Sequence, residues 1–185
     1  NTLKGTNYVY NHPEKRAEDL MQAFSDPSIK AIISCIGGSD SIRLLPYINF
    51  DVIRNNPKIV TGYSDSTVTH FFCLKAGISS FYGLSLLNDF AENIKMSDYT
   101  EQWARRVLFS SASIGEIPVS KEYTAQRLEW KMENKNVARK FEANTDYELL
   151  QGRETVTGRL IGGCLEVIDM IKGTSLFPEL SDFDD

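Results

Sequence analysis

The spacing of polar and apolar residues along the first 83 residues distinguishes predicted helices from predicted strands. Residues 13–26 repeat apolar side chains at helical spacing with charged residues between them, which predicts an amphipathic helix. Further helices are predicted at 41–47 (ended by Pro46), 50–55 and 66–76. Three short apolar runs ended by glycine are typical of buried parallel strands, and they lie at 29–36, 58–62 and 78–82. This order predicts an α/β fold, a parallel sheet with flanking helices.

The pattern changes after residue 84. A helix is predicted at 100–110, and the polar region that follows contains one strand-like piece, 114–119. Residues 155–161 alternate like a strand and lead through Gly162 and Gly163 into a helix at 164–172. We therefore expect three parts: an α/β domain at 1–90 whose first strand is missing, a linker and insert at 91–154, and the truncated start of a second α/β domain at 155–185.

Charge and cysteine content narrow the classes of function. There are 20 Lys and Arg residues against 25 Asp and Glu, a net charge of −5, which argues against nucleic-acid and anionic-membrane partners. No apolar run approaches the ~20 residues of a membrane-spanning helix. The three scattered cysteines have no metal-site spacing and indicate a reducing, cytoplasmic location without disulfides. No dinucleotide or Walker motif is present, so we expect neither a cofactor nor a metal.

The most distinctive local feature is Ser64, in the sequence Gly-Tyr-Ser-Asp-Ser-Thr at a predicted strand-to-helix junction. A serine on such a tight turn exposes its hydroxyl at the open end of the sheet. The backbone N–H of the following residue, Asp65, points to the same place, as a nucleophile and its oxyanion hole require. The alternative is structural, because Ser64 or Asp65 could simply cap the helix.

Gly37 and Gly38 end the neighbouring predicted strand, where ligands of parallel sheets bind. Their N–H groups could complete an oxyanion hole or hold a carboxylate, although a turn requiring positive φ is the alternative. A serine nucleophile also needs a base, and the sequence has two histidines. His70 lies on the wrong side of the predicted helix to face Ser64, and nothing directs His12 toward the sheet.

Four segments together resemble the LD-carboxypeptidase family of serine peptidases, in particular its microcin C immunity branch. They read AIISCIGGSDSIRLLP, FDVIRNNPKIVTGYSDST, FYGLSLLNDFAEN and GRLIGGCLEVIDMIKGT, and the match extends in order from about residue 14 to residue 178. The resemblance implies that Ser64 is the nucleophile, with Gly38 and Asp65 as oxyanion donors. It also implies a Glu and a His of the catalytic triad that lie outside this chain, so we expect the chain to be a fragment that is inactive by itself.

The resemblance further implies a substrate in which an amide bond lies next to a free carboxylate. Trp130 lies near the position where the microcin branch stacks a nucleobase, and Gly37 and Tyr82 are further candidates for substrate contact. Murein-recycling members commonly carry His-Gly-Pro after the third strand, whereas this chain has Tyr82 followed by Gly-Leu, and the family's usual Asn is replaced by Cys164. Trp130 could equally pack in an interface or a small core.

These features favour a peptidyl-nucleotide over a small murein peptide as substrate, and the family tendency predicts a homodimer. Two other functions stay open. One is a murein tetrapeptide carboxypeptidase of cell-wall recycling. The other is a non-catalytic α/β ligand-binding domain in which Ser64 only caps a helix. Arg43 could pair with a substrate carboxylate, but an arginine covering a helix end is the preferred interpretation.

Overall fold

A computed structural model describes residues 1–152 and 155–179. The described chain divides into two compact units, one formed by Asn1–Leu86 with residues 161–179 and the other by Leu87–Leu160. The predicted boundaries at 90 and 154 stay predictions. No helix in the described ranges is long and apolar enough to cross a membrane.

The first unit is built on a three-stranded parallel sheet in the order β1-β2-β3. Its strands are β1 (Ala31–Ile33), β2 (Ile59–Gly62) and β3 (Phe81–Tyr82). Ala31 pairs with Ile59, and Gly62 pairs with Tyr82, so the carboxyl ends of the strands lie at one edge. The predicted α/β fold with a parallel sheet is thereby confirmed.

Helices accompany each strand of this unit. The α-helices are α1 (Thr6–Asn11), α2 (Pro13–Ser25), α3 (Phe50–Asn55), α4 (Thr67–Lys75) and, from the end of the chain, the helix Leu165–Ile171. Short 3₁₀ helices cover Thr2–Lys4, Ser41–Tyr47 and Ser64–Ser66. Pro46 lies inside its 3₁₀ helix rather than ending it, since this tighter turn continues to Tyr47. Asn49 caps α3 by accepting hydrogen bonds from the N–H groups of Asp51 and Val52.

The core of the first unit lies between α2, α3, α4 and the Leu165–Ile171 helix. Phe24, Ile53, Phe72 and Ile171 are fully buried in it. Residues far apart in sequence therefore share one core. The predicted burial of the first strand on both faces is wrong for β1, because this strand is the outer one of the sheet in the described residues and its Ile33 is 39% exposed.

The second unit contains less regular structure. It includes α5 (Asp98–Leu108), capped by Ser97, the antiparallel pair β4 (Glu122–Tyr123) and β5 (Glu142–Ala143), and the 3₁₀ helix Met132–Asn134. A π-helical turn, Leu86–Phe90, leads into it. In chain order the next α-helix is Leu165–Ile171, which belongs to the first unit and is called α6. The strands predicted at 114–119 and 155–161 are absent, and these largely exposed segments pair with no strand in the described chain.

Candidate active site

Ser64 lies on a strained turn between β2 and α4. Its φ angle is +56°, in the left-handed region that non-glycine residues rarely adopt. Such a conformation costs on the order of 1–3 kcal/mol and persists only where surrounding contacts hold it. The residue is only partly buried. A strained strand-to-helix turn that leaves a serine hydroxyl accessible is the geometry of a nucleophile elbow.

The loop of Gly37 and Gly38 packs directly against this turn. A Cβ atom at Gly37 would lie 2.8 Å from Ser64 Cβ and 2.9 Å from Ser64 Oγ. A Cβ atom at Gly38 would lie 2.9 Å from Asp65 Oδ2. Only glycine allows the two loops to approach this closely, so the contact explains the Gly-Gly pair better than a turn does, since neither residue has positive φ.

Tyr82 joins the same site from β3. Its hydroxyl oxygen accepts a hydrogen bond from the backbone N–H of Ser64 at 2.9 Å, while its side chain remains 48% exposed. Its ring also lies beside the imidazole of His70, with 5.6 Å between the ring centroids. The edge of the sheet thus brings five of the predicted site residues together: Gly37, Gly38, Ser64, Asp65 and Tyr82. Trp130 belongs to the second unit, where its side chain is 66% exposed.

The carboxylate of Asp65 is only 2% exposed. Its Oδ2 atom accepts hydrogen bonds from Ser41 Oγ at 2.6 Å, Ser41 N at 3.0 Å and Asp40 N at 3.1 Å. Its Oδ1 atom is buried and has no hydrogen-bond partner in the described chain. A carboxylate at the first N–H groups of a helix is favourable because those groups lack intrahelical acceptors.

The imidazole of His70 has a structural role, because both of its nitrogens form hydrogen bonds within the first unit. Its Nε2 atom lies 3.1 Å from the carbonyl oxygen of Gly62, and its Nδ1 atom lies 2.8 Å from Ser80 Oγ. A carbonyl can only accept, so Nε2 carries the proton and Nδ1 accepts from the serine hydroxyl. Burial lowers the pKa of His70, against the opposing hydrogen bond to Gly62. Both ring nitrogens are occupied, so His70 is not the base for Ser64, as its helical position predicts.

The other polar candidates also have structural partners. His12 contacts Glu14 through Nδ1 at 3.0 Å, near the start of α2. Arg43 donates to the carbonyl oxygen of Tyr10 at 2.6 Å, close to the end of α1, which confirms the helix-end interpretation. Within the described ranges no group of three or more His, Cys, Asp or Glu side chains could hold a metal ion. All three cysteines are free thiols, and burial raises the pKa of Cys73 to about 12.

Sequence reasoning missed the parts of the site that depend on side-chain direction. The contacts of the Asp65 carboxylate with Asp40 and Ser41 join segments about 25 positions apart, and no spacing rule indicates them. The hydroxyl of Tyr82 as acceptor for Ser64 was missed for the same reason. The one available signal was the Ser-Asp-Ser sequence after Gly38, which places polar groups at the start of the next helix.

The fold and this turn define an α/β unit with the nucleophile-elbow geometry of serine hydrolases, in which a strained serine lies at the carboxyl edge of a parallel sheet. Residues 1–83 match the family model described as the LD-carboxypeptidase N-terminal domain. Residues 1–83 therefore belong to the LD-carboxypeptidase family as its N-terminal domain, and the rest of the chain is similar to individual relatives.

Individual relatives extend the match beyond the first 83 residues. The microcin C7 self-immunity protein MccF of Escherichia coli is 31% identical, with 90% of this chain and 48% of MccF covered. A shorter match, over 83 residues, is to a Bacillus subtilis protein named as a probable murein peptide carboxypeptidase, which is 35% identical, with 44% of this chain and 26% of the relative covered.

The solved structures include an MccF-like protein from Streptococcus pneumoniae in complex with AMP. The two sequences are 36% identical. The superposition covers 97% of this chain and 57% of the Streptococcus pneumoniae chain, with a TM-score of 0.86. This chain spans about half the length of the curated relatives that it matches along most of its sequence.

Proposed function

We propose that the protein is a serine carboxypeptidase in which Ser64 attacks the carbonyl of an amide bond next to a free carboxylate. The observation that carries the proposal is the conformation of Ser64, with φ of +56° and a loop of two glycines against its side chain. A helix cap needs no left-handed serine, because N-cap residues normally adopt extended backbone. The strain is therefore better explained by presentation of a nucleophile than by capping.

The oxyanion of the tetrahedral intermediate would be stabilised by the backbone N–H groups of Asp65 and Gly38. The N–H of Asp65 lies in the first turn of the 3₁₀ helix, where N–H groups have no intrahelical acceptor. The N–H of Ser64 already donates to Tyr82 and is not assigned this role. Donors fixed in this way before the reaction stabilise developing charge without reorganisation.

The base that activates Ser64 comes from a His–Glu pair outside this chain, as the resemblance to the family implies. His70 is committed to Gly62 and Ser80, and His12 contacts Glu14. In the proposed mechanism the histidine accepts the Ser64 proton during attack and returns it to the leaving amine. The acyl-enzyme is then hydrolysed by water. Neither step requires a cofactor.

The proposed substrate is a peptidyl-nucleotide of the microcin C type, so that the protein would detoxify such a compound. Support comes from the exposed ring of Trp130 and from the similarity to MccF and to the AMP-bound MccF-like structure. Gly37 and Tyr82 would contact the peptidyl part beside Ser64. The second candidate is a murein peptide, favoured by the shorter match to the Bacillus subtilis protein. The cytoplasmic location and the homodimer stay predictions.

Covalent labelling of the full-length protein with a fluorophosphonate tests the nucleophile. We expect one labelled serine, Ser64, in peptide mass spectra, and no label at this position in Ser64→Ala. Ser39→Ala is the matched control, because Ser39 is an exposed serine in the neighbouring loop, and it should label normally. An unlabelled Ser64 in a folded protein would favour the ligand-binding alternative.

Hydrolysis of an aminoacyl sulfamoyl adenosine and of a murein tetrapeptide by the same preparation separates the two substrates. Loss of a stacked base is worth ~1–3 kcal/mol, so Trp130→Ala should raise KM for the nucleoside substrate about 5- to 160-fold, and Trp130→Phe should restore most of it. Tyr147→Ala replaces a similarly exposed aromatic of the same unit and should leave KM unchanged. A preference for the tetrapeptide would support cell-wall recycling instead.

A further inference from the structure

The loop between β1 and the 3₁₀ helix Ser41–Tyr47 has no regular backbone pairing of its own at Gly37 and Gly38. If Gly38 supplies an oxyanion donor, this loop has to stay at a fixed distance from Ser64. An oxyanion donor acts over 2.7–3.1 Å, so a shift of a few tenths of an ångström already weakens it. A group outside the loop therefore has to hold Gly37 and Gly38 in place.

The side chain of Asp65 makes the connection. Its Oδ2 atom accepts three hydrogen bonds from the residues two and three positions after Gly38, two from the backbone N–H groups of Asp40 and Ser41 and one from the Ser41 hydroxyl. Hydrogen bonds to a carboxylate are roughly twice as strong as neutral ones. The side chain is almost fully buried, so water does not compete for these donors. The same Oδ2 atom also lies against Gly38, where any Cβ atom would collide with it.

Arg16 of α2 supports the opposite side of the same segment. Its Nη1 atom donates to Asp40 Oδ1 at 2.9 Å, and its Nη2 atom donates to Ser41 Oγ at 3.4 Å. The segment is thus held between Arg16 and Asp65, both of which lie in the first unit. The Arg16 contacts reach side chains only, whereas Asp65 binds the Ser41 hydroxyl and also the backbone that continues from Gly38.

We propose that the carboxylate of Asp65 is a positioning residue of the oxyanion hole, distinct from the role of its backbone N–H as a donor. It fixes the Gly37–Gly38 loop against the Ser64 turn so that the N–H groups of Gly38 and Asp65 face the same oxygen. The residue after the nucleophile then contributes twice, by its backbone to the transition state and by its side chain to the loop. This inference rests on the proposed function of Ser64.

Asp65→Asn is the informative change, because it keeps the shape and removes the charge. The amide oxygen can still accept at the Oδ2 position, but more weakly. The amide nitrogen would occupy the buried Oδ1 position, which has no partner in the described chain. The loop should loosen without loss of the fold. Since the oxyanion forms only in the transition state, the effect should fall on kcat rather than KM.

The experiment measures the rate of fluorophosphonate labelling at Ser64, and kcat and KM separately, in the full-length protein. We expect Asp65→Asn to lower the labelling rate and kcat about 10-fold or more and to change KM less than about 2-fold. Ser41→Ala removes one donor and should give a smaller loss of the same kind. Asp51→Asn, an exposed carboxylate on α3, is the matched control and should behave as wild type.

The outcomes separate this inference from the function on which it rests. If wild-type protein is not labelled at Ser64, the proposed function fails and the positioning role with it. If wild type is labelled and Asp65→Asn and Ser41→Ala react at the wild-type rate, the nucleophile stands and the positioning role is overturned. Should Asp65→Asn prove unfolded by circular dichroism, Ser41→Ala decides: a fall in kcat at constant KM supports the role, and wild-type kinetics overturns it.

Discussion

The backbone N–H of Ser64 donates a hydrogen bond to the hydroxyl oxygen of Tyr82 at 2.9 Å. The two residues are 18 positions apart and come from different strand ends. Pairing of Gly62 with Tyr82 in the parallel sheet brings them together, because Ser64 follows Gly62 by two residues. The hydrogen bond satisfies an N–H group that would otherwise be unpaired on a strained turn. In the proposed mechanism the oxyanion is then stabilised by the N–H groups of Gly38 and Asp65.

Tyr82→Phe should lower the rate of Ser64 labelling while hardly changing stability. The variant removes only the acceptor for the Ser64 N–H, and a net hydrogen bond of ~0.5–1.5 kcal/mol corresponds to a loss of about 2- to 12-fold. Because Tyr82 is half-exposed, water can solvate the freed N–H of Ser64, so the melting temperature should stay close to wild type, but a mobile water does not hold the turn in place as the tyrosine does. Fluorophosphonate kinetics and thermal unfolding monitored by circular dichroism measure both. An unchanged labelling rate would show that the hydroxyl does not constrain Ser64.

Gly37→Ala should reduce labelling at Ser64 far more than Tyr82→Phe does. The added methyl would lie within 3 Å of both Cβ and Oγ of Ser64, so either the nucleophile or the loop has to move. We expect a loss of about 100-fold or more, comparable to removal of an oxyanion donor. Gly158→Ala is the control, since a Cβ there meets nothing within 4 Å. Wild-type reactivity of Gly37→Ala would contradict the close approach of the two loops.

His70 should make the stability of the fold depend on pH. Burial lowers its pKa in the folded state from the ordinary value of 6.5, so the unfolded chain binds a proton more readily. Stability is therefore complete above about pH 6.5 and is lost as the pH falls through the lower folded-state pKa. Urea unfolding between pH 8 and pH 5 should show this loss for wild type, and His70→Gln should show a smaller slope.

The matched control for this experiment is His12→Gln. His12 is partly buried and contacts Glu14 near the start of α2, away from His70, so the effect of His70→Gln on the pH slope should be the same with and without the His12→Gln replacement. Equal slopes for wild type and His70→Gln would mean that the buried imidazole does not control the acid sensitivity of the fold.

Thr67 should stabilise the connection between α4 and the start of α6. Its hydroxyl oxygen accepts the backbone N–H of Cys164 at 2.9 Å, and the side chain is fully buried. Thr67→Val keeps the shape but leaves that N–H without its acceptor, so we expect a loss of about 1–3 kcal/mol in the free energy of unfolding. Thr67→Ser retains the hydroxyl and should lose less than Thr67→Val. Urea denaturation measures both, and the reverse order would contradict a role for the hydrogen bond.

Much of the first unit could be predicted from sequence because its signals are local. The structure places α2 at Pro13–Ser25, α3 at Phe50–Asn55 and β2 at Ile59–Gly62, each within one residue of the pattern-based prediction. The spacing of apolar residues and the glycines at the ends of the segments indicate these helices and strands directly. The two strands predicted at 114–119 and 155–161 failed because alternation indicates only that a strand could form. A strand also requires a partner, which neither segment has in the described structure.

The sequence alone determined the α/β order of elements, the serine at a strand-to-helix junction and the glycine pair near it, since each depends on residue type and short spacing. The tertiary structure decided how these parts meet. In the folded structure Ser64 has a left-handed φ angle, and the Asp65 carboxylate accepts a hydrogen bond from Ser41. Both ring nitrogens of His70 form hydrogen bonds, one with Gly62 and one with Ser80. These relationships join residues up to about 25 positions apart through the parallel register of the sheet. Local spacing carries no information about such contacts, because the register is fixed by packing of the whole unit.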